Sequence, residues 1–217
     1  MGRDAYSERA AAPPPVSSGL IAYVLAGGRG SRLSAEKGFL EVGGAPIVER
    51  VLAAAAPLAR EVVLVGDPLL LRSLGRRVIT EESRFGGPLA AVCAALADAH
   101  PLDALIVPWD APFLTTAALA CLVAGRGSAD AAVPRRGELF EPLCAVYGPG
   151  CLNPARAAFE AGRRRGFDFY DDVDVRWVGE EELAACGAWE QLFLNVNTPQ
   201  DLARARRLAR LEERRTG

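Results

Sequence analysis

The sequence contains almost no histidine, and this scarcity excludes several kinds of active site. His100, the only histidine among 217 residues, directly precedes Pro101 in a predicted loop, and we assign it no catalytic role. A cysteine nucleophile would need a histidine as its base, and a zinc site would need a cluster of cysteine and histidine ligands. The five cysteines show no CxxC spacing, so we interpret them as reduced, mostly buried thiols.

Long hydrophobic runs and a strong excess of either charge are also missing. No apolar stretch approaches the roughly 18 residues that a membrane-spanning helix needs. The 25 basic and 27 acidic residues give a formal net charge of −2, so the composition does not point to nucleic acid or an anionic membrane as partner. Because no secretory signal is apparent either, we expect a cytoplasmic protein.

The first 19 residues differ in composition from the rest of the chain. Residues 1–19 are rich in alanine, proline and serine and have almost no large aliphatic side chains. Such a segment cannot bury enough apolar surface to offset the entropy lost on ordering, so we predict a disordered tail. Half of all residues are apolar, and no linker interrupts residues 20–210, where we therefore predict a single domain.

Predicted strands and helices alternate along this domain. The near-continuous apolar runs at residues 20–26 and 61–66 are typical of strands buried on both faces of a parallel sheet. The alternation predicts an α/β fold, a doubly wound, Rossmann-like three-layer sandwich with a mostly parallel central sheet. Further strands are predicted at 77–80, 103–109, 129–134, 141–147, 174–178 and 192–196, and helices after Pro46, near 68–74, at 89–97, 115–123 and 155–162, and from Pro199.

Residues that directly follow the strands are the candidates for a binding site. In sheets of this type ligands bind beyond the carboxyl ends of the strands, where the strand order switches. The predicted strands place five segments there, namely residues 27–37, 66–67, Glu81, Asp110 and residues 195–198.

The loop after the first strand combines glycines with cations. Residues 25–40, LAGGRGSRLSAEKGFL, match neither common phosphate motif, because Lys37 lacks the flanking residues of a P-loop and Leu33 replaces a glycine of the dinucleotide fingerprint. Glycines still allow backbone amides to approach an anion, while Arg32 and Lys37 add full charges. A phosphate site and a tight turn with solvated cations both remain open from these residues alone.

Five segments in succession resemble the molybdenum cofactor guanylyltransferases, the MobA-type enzymes. The pattern LAGGxGxRL followed by a lysine is similar to that of nucleotidyltransferases, which move a nucleoside monophosphate from an NTP onto a phosphate. EKGFLEVGGAPIVERV, FGGPLAAV, PWDAPFL, EPLCAVY and FLNVNTPQDLARA then resemble the MobA-type segments in order, over residues 20–207. Departures from the usual residues occur at Ser34 (glycine), Glu36 and Glu81 (aspartate), Trp109 (cysteine) and Ala91 (glycine).

The resemblance implies a nucleotidyltransferase, glycosyltransferase-A-like fold and a GTP-dependent reaction. Residues 20–113 would bind GTP, and residues 129–200 would bind the acceptor. GMP would pass from GTP to the terminal phosphate of molybdopterin, with Mg²⁺ as cofactor and pyrophosphate as the second product. Other proteins of molybdenum cofactor biosynthesis are further partners to consider.

The resemblance also implies roles for individual residues. The nucleotide would be bound by Leu25, Ala26, Gly27, Gly28, Lys37, Gly66, Glu81 and Asp110. Glu81 would lie near guanine or ribose, since guanine presents N–H donors to a carboxylate, although Glu82 is an alternative for this role. Lys37, Arg32 and Asp110 would carry catalysis by neutralising charge.

Asp110 ends the predicted strand at residues 103–109 and precedes Ala111-Pro112. A carboxylate at this position is the kind of ligand that holds Mg²⁺ beside substrate phosphates, whereas capping of the following turn is the alternative. The resemblance favours the metal. The attacking phosphate is already largely ionised at neutral pH, so no general base is required.

Two asparagines lie around the end of the last predicted strand. Asn195 and Asn197 could bind the acceptor or complete the metal shell, but Asn197 or Thr198 could equally cap the helix that starts at Pro199. Arginines at positions 135 and 136 and within residues 162–167 could line the approach of the anionic pterin, with a solvated loop as the alternative.

Three rival functions remain open. A cytidylyltransferase for the same cofactor has a first loop that resembles LAAG followed by proline-lysine-leucine, whereas LAGG and EKGFL here favour guanine. Sugar-1-phosphate nucleotidyltransferases are usually longer. A nucleotide-binding regulator without turnover would belong to a different class, and Mg²⁺- and molybdopterin-dependent release of pyrophosphate would distinguish it.

Overall fold

The computed structural model describes residues 17–27, 37–81 and 86–216. The strands are β1 (Ser17–Ala26), β2 (Glu41–Val42), β3 (Ala45–Pro46), β4 (Ala59–Gly66), β5 (Val78–Ile79), β6 (Asp103–Pro108), β7 (Ala131–Arg136), β8 (Leu139–Phe140), β9 (Ala145–Tyr147) and β10 (Val175–Gly179). The helices are α1 (Ile47–Ala55), α2 (Pro68–Leu71), α3 (Gly87–Ala99), α4 (Thr116–Arg126), α5 (Leu152–Glu160), α6 (Glu180–Leu183), α7 (Trp189–Leu192) and α8 (Pro199–Thr216). Among the helices of these ranges, none combines the length and the apolar character needed to span a bilayer.

One eight-stranded sheet organises the fold. Its strands run in the order β10-β7-β9-β6-β1-β4-β5, and β8 pairs with β7 outside this path. β9 is antiparallel to both of its neighbours and β8 is antiparallel to β7, whereas the other pairs are parallel. The predicted mostly parallel sheet is thus confirmed. Because β1 has β4 on one side and β6 on the other, the strand order switches at β1.

Apolar residues of β1 alternate between two cores, one on each face of the sheet. Ala22, Val24 and Ala26 pack with residues of α1, α4 and α8, whereas Ile21 and Leu25 pack with residues of α3 and α5. This period of two is what a strand buried on both faces requires. Helices therefore cover both faces, and the predicted three-layer, doubly wound α/β fold is confirmed.

The predicted start of the first strand, at residue 20, is wrong. β1 begins at Ser17 rather than at residue 20, because its backbone pairs with Ala59 of β4 and this pairing needs no large side chain. Of the predicted tail, residues 1–16 lie outside the described ranges.

The predicted strand at residues 192–196 is not a strand. Leu192 ends α7, and the following residues form no ladder within the described ranges. Leu192, Leu194 and Val196 are buried in alternation, which produces the strand-like pattern in the sequence although this segment packs onto the core without a neighbouring strand. Its backbone is instead held to the second residue after β6, since Val196 N–H donates to Asp110 O at 2.8 Å.

A buried hydroxyl ties the central strand to α3. Tyr23 is fully buried, and its hydroxyl donates to Asp98 Oδ2 at 2.7 Å. Arg77 binds Asp98 and also Glu61 of β4. The hydrogen bond from the Arg77 guanidinium lowers the pKa of Asp98, so the stabilisation by this carboxylate is present above its usual pKa and is lost as the pH falls through the lowered one.

We expect Asp98→Ala to lower the free energy of unfolding by about 1–3 kcal/mol, because the buried Tyr23 hydroxyl loses its acceptor. The double variant Tyr23→Phe/Asp98→Ala should cost less than the sum of the two single changes. Urea unfolding at pH 7 measures both quantities, and strictly additive costs would contradict the coupling. The effect of Asp98→Ala should also shrink as the pH falls below about 4.

Candidate functional site

The carboxyl ends of β1, β4 and β6 meet at one edge of the sheet. Leu25 O accepts a hydrogen bond from Trp109 N–H at 3.2 Å, and Ala26 stands opposite Gly66 in the parallel register. A Cβ at Gly66 would lie 2.7 Å from Ala26 O, so only glycine fits there. The structure therefore brings Leu25, Ala26, Gly66 and the residue after Trp109 to the same place, as the topology predicts.

Lys37, Asp110 and Asn197 form the centre of this edge. The Lys37 ammonium binds Asp110 Oδ2 in an ion pair and donates to Asn197 Oδ1 at 2.8 Å. Lys37 and Asp110 are only 8% and 6% exposed. These partners lie 73 and 160 residues from Lys37 in the sequence. Removing one charge of such a pair would leave the other buried and uncompensated, which is strongly destabilising.

Close packing between Gly38 and Trp109 fixes the position of Lys37. Lys37 begins a 3₁₀ turn, Lys37–Phe39, directly before Gly38. A Cβ at Gly38 would overlap the Trp109 ring, so glycine is required at this contact. Phe39 meets the same ring edge-on, with the centroids 6.0 Å apart. The Trp109 ring therefore packs against the 3₁₀ turn that begins with Lys37.

The residues before α8 divide between two roles, capping of the helix and contact with Lys37. Thr198 caps the helix, because its hydroxyl accepts from Asp201 N–H at 3.1 Å while Asp201 Oδ2 accepts from Thr198 N–H at 2.8 Å. Asn197 contributes its N–H to the same carboxylate, but its side chain reaches Lys37. Asn195 Oδ1 is buried and has no hydrogen-bond partner among the described residues.

Glu81 lies beside Gly27, the residue that directly follows β1. A Cβ at Gly27 would be 3.2 Å from Glu81 Oε1, so the two predicted nucleotide residues are neighbours. Burial raises the pKa of Glu81. Gly28, Arg32 and Glu82 lie outside the described residues.

Glu141 is a residue of this site that the sequence reasoning missed. Burial raises its pKa to about 7, and the negative charge of Asp110 adds to the shift. The raised pKa favours the protonated form, so Glu141 adds less negative charge beside Asp110 than an ordinary glutamate would. The EPLCAVY segment marks this region, but nothing in it distinguishes Glu141 from a solvated acid.

One compositional signal for the site was available in the sequence. Lys37 is the only lysine in the chain, and every other member of the 25 basic residues is arginine. The lysine places a compact point charge between Asp110 and Asn197, whereas an arginine would bring a larger planar group. The only one of these basic residues that is not an arginine is therefore also the only buried cation within the described ranges.

Comparisons of the sequence with known proteins identify one family. The family model described as "MobA-like NTP transferase domain" matches residues 22–175 of this chain. A protein of Pelotomaculum thermopropionicum named "Probable molybdenum cofactor guanylyltransferase" is 39% identical over 196 residues, covering 89% of this chain and 94% of that protein. The molybdenum cofactor guanylyltransferase of Desulfosudis oleivorans is 30% identical over 185 residues, covering 84% and 92%.

A solved structure supports the same relation. The crystal structure of molybdopterin-guanine dinucleotide biosynthesis protein A from Archaeoglobus fulgidus superposes with a TM-score of 0.75 at 26% identity. The superposition covers 88% of this chain and 99% of that one, so both halves of the sheet are included.

Gly38→Ala should lower the free energy of unfolding by about 1–3 kcal/mol, because the added methyl group overlaps the buried Trp109 ring. In a Trp109→Cys background, which carries the smaller residue usual for this position, the same change should cost much less. Urea unfolding of the four proteins measures the difference. Equal costs in the two backgrounds would show that the ring does not dictate the glycine.

Proposed function

The chain belongs to the MobA-like NTP transferase family, and from this premise we propose that it transfers GMP from GTP to the terminal phosphate of molybdopterin. The products are the guanine dinucleotide form of the cofactor and pyrophosphate. The observation that carries the proposal is the buried Lys37–Asp110 pair at the strand-order switch, in a chain whose full-length relatives are named molybdenum cofactor guanylyltransferases.

Lys37 serves as the phosphate-binding cation in this proposal. Its ammonium is a point charge already oriented by Asp110 and by Asn197 Oδ1, so it need not be ordered when a triphosphate arrives. A phosphate oxygen competes with Asp110 for the ammonium hydrogens. Arg32 and the amides of the loop after β1 add further positive potential in the proposal.

The donor set around Asp110 fits Mg²⁺. No group of three or more acidic, histidine or cysteine side chains converges on a point anywhere in the described ranges. Mg²⁺ does not need such a cage, since it commonly takes one or two carboxylates and keeps waters and substrate phosphates as its other ligands. Asp110 would hold it, and the unpartnered Asn195 Oδ1 offers a second protein oxygen. The ion would neutralise charge that develops on the phosphates.

The reaction requires little proton chemistry from the protein. The attacking phosphate has a second pKa of about 6, so it is mostly a dianion at neutral pH. The remaining tasks are to align the phosphate with the α-phosphorus of GTP and to stabilise the charge on the leaving pyrophosphate. This is consistent with a site built from Lys37, Asp110 and asparagines rather than from histidine.

Glu81 contributes to nucleotide choice in this proposal. Guanine presents N1–H and a 2-amino group, and a carboxylate or backbone carbonyl can accept from both. Glu81 stands after β5 next to Gly27, at the side of β1 away from β6, which leaves the opposite side for the acceptor.

Lys37→Gln and Asp110→Asn should each reduce guanylyl transfer by roughly 100- to 1,000-fold, the scale expected when one preorganised charge is removed from a transition state. Formation of the dinucleotide from GTP, Mg²⁺ and molybdopterin measures the rate. Asp103→Asn is the matched control, because Asp103 lies at the opposite end of the same strand and pairs with Arg126.

Asp103→Asn should keep the rate within about twofold, since it lies outside the site. Circular dichroism verifies that all variants are folded. Normal transfer by both Lys37→Gln and Asp110→Asn would refute the assignment of this site.

Unlabelled GTP should compete with labelled GTP for transfer at least roughly tenfold better than CTP or UTP, because the half-buried Glu81 carboxylate discriminates among base edges. The Glu81→Gln variant should reduce the preference for GTP over CTP and UTP. Pyrophosphate release should require both Mg²⁺ and molybdopterin. Preference for CTP would identify a cytidylyltransferase, and binding of GTP without any transfer would identify a regulator.

A further inference from the structure

A cavity of about 370 Å³ lies beyond the acceptor side of the site, at the carboxyl-end half of β7 and β10. Four aromatic side chains form its walls, namely Phe140, Phe167, Tyr170 and Trp177. Small-molecule sites typically have volumes of about 300–1,000 Å³, so the cavity is large enough for one ring system. The mechanism described above uses none of these side chains.

The aromatic walls are fixed by packing and hydrogen bonds. Phe140 meets Trp177 and Phe167 edge-on, with centroid distances of 5.5 and 5.0 Å. The Tyr170 hydroxyl bonds to the Tyr147 hydroxyl at 2.5 Å, and that hydroxyl donates to Pro142 O at 2.6 Å. Rings held in this way offer preorganised apolar surfaces to a flat ligand.

Polar groups of both kinds surround the rings. The Arg135 guanidinium lies over Trp177, 5.0 Å from the ring centroid, and provides N–H donors at the wall. Glu138 and Asp171 provide carboxylate acceptors in the same lining. The charges of the lining balance, with three arginines (Arg135, Arg163, Arg165) and three acids (Glu138, Asp168, Asp171). The cavity is therefore suited to a flat, polar and uncharged group rather than to a phosphate.

The sheet order places this cavity within reach of Asp110. From β6, which leads to Asp110, the sheet continues through β9 to β7 and β10. At about 4.8 Å per strand, β7 and β10 lie about 10 and 14 Å from β6. Phe140 of the cavity wall belongs to β8, which pairs with β7, so this wall stands at the strand that is two places from β6.

We propose that this aromatic cavity binds the pterin ring system of the acceptor substrate, with the phosphate-bearing end directed toward Lys37 and Asp110. A pterin is flat, presents a 2-amino group and N3–H as donors, and presents O4 and ring nitrogens as acceptors. The aromatic rings can stack on the flat pterin, and the carboxylates can accept from its N–H donors. The guanidinium can donate to O4 and the ring nitrogens. The inference rests on the proposed function, since it assigns the head of the acceptor in that reaction.

Two adjacent arginines provide a matched test. Successive side chains of a strand point to opposite faces, so Arg135 lies over Trp177 in the cavity, whereas Arg136 lies over Trp189 and binds Glu190. Arg135→Ala should raise KM for molybdopterin by about tenfold and leave KM for GTP within about twofold. Arg136→Ala should leave both values within about twofold.

A binding experiment separates this inference from the proposed function. Neopterin, a free pterin, should quench the fluorescence of Trp177, one of three tryptophans in the chain. Trp177→Phe should remove most of the quenching and Trp189→Phe should not. This readout needs no turnover, so it would stand even if guanylyl transfer were absent. Quenching that is unaffected by Trp177→Phe, equal KM effects of Arg135→Ala and Arg136→Ala, or an effect confined to GTP would each overturn the assignment.

Discussion

The ion pair between Lys37 and Asp110 is the constraint on which the site depends. Taking each charge out of water costs several kcal/mol, which mutual attraction repays only when the geometry is good and the remaining hydrogen bonds are made. Asn197 meets the second requirement by accepting from the same ammonium. Lysine and aspartate are almost never buried unless paired, and buried ionisable groups are typical of functional sites, so this pair is the feature on which the proposed site rests.

The fold was predictable from the sequence because its signals are local. Buried apolar runs identified β1 and β4, and prolines marked the starts of α1 and α8 to within one residue. The same local reasoning failed at Leu192, Leu194 and Val196, whose alternating burial resembles that of a strand. Strand direction was equally inaccessible, since the antiparallel pairing of β9 with β6 and β7 depends on the path of the chain and not on any one segment.

The candidate site was predictable only where motifs reach it. Lys37, Asp110 and Asn197 lie in segments that resemble a known family, and the structure brings their side chains into contact. Glu141 also lies in such a segment, but the resemblance did not single it out, because its nearness to Asp110 arises from the order β6-β9-β7 rather than from sequence spacing. The pterin cavity is of the same kind, since its walls come from β8, β10 and the segment after α5.

In the proposed reaction, the position of the ion pair in the sheet lets one short edge serve two substrates. Glu81 and Gly27 lie on the β1, β4 and β5 side, the aromatic cavity lies on the β7 and β10 side, and β6 with Asp110 separates them. A phosphate that arrives from either side meets charges that are already desolvated and oriented. In this proposal, substrate phosphate replaces one partner of Lys37 or Asp110, and the protein charges do not have to be buried anew. Their desolvation has already occurred during folding, so it does not add to the barrier of the reaction.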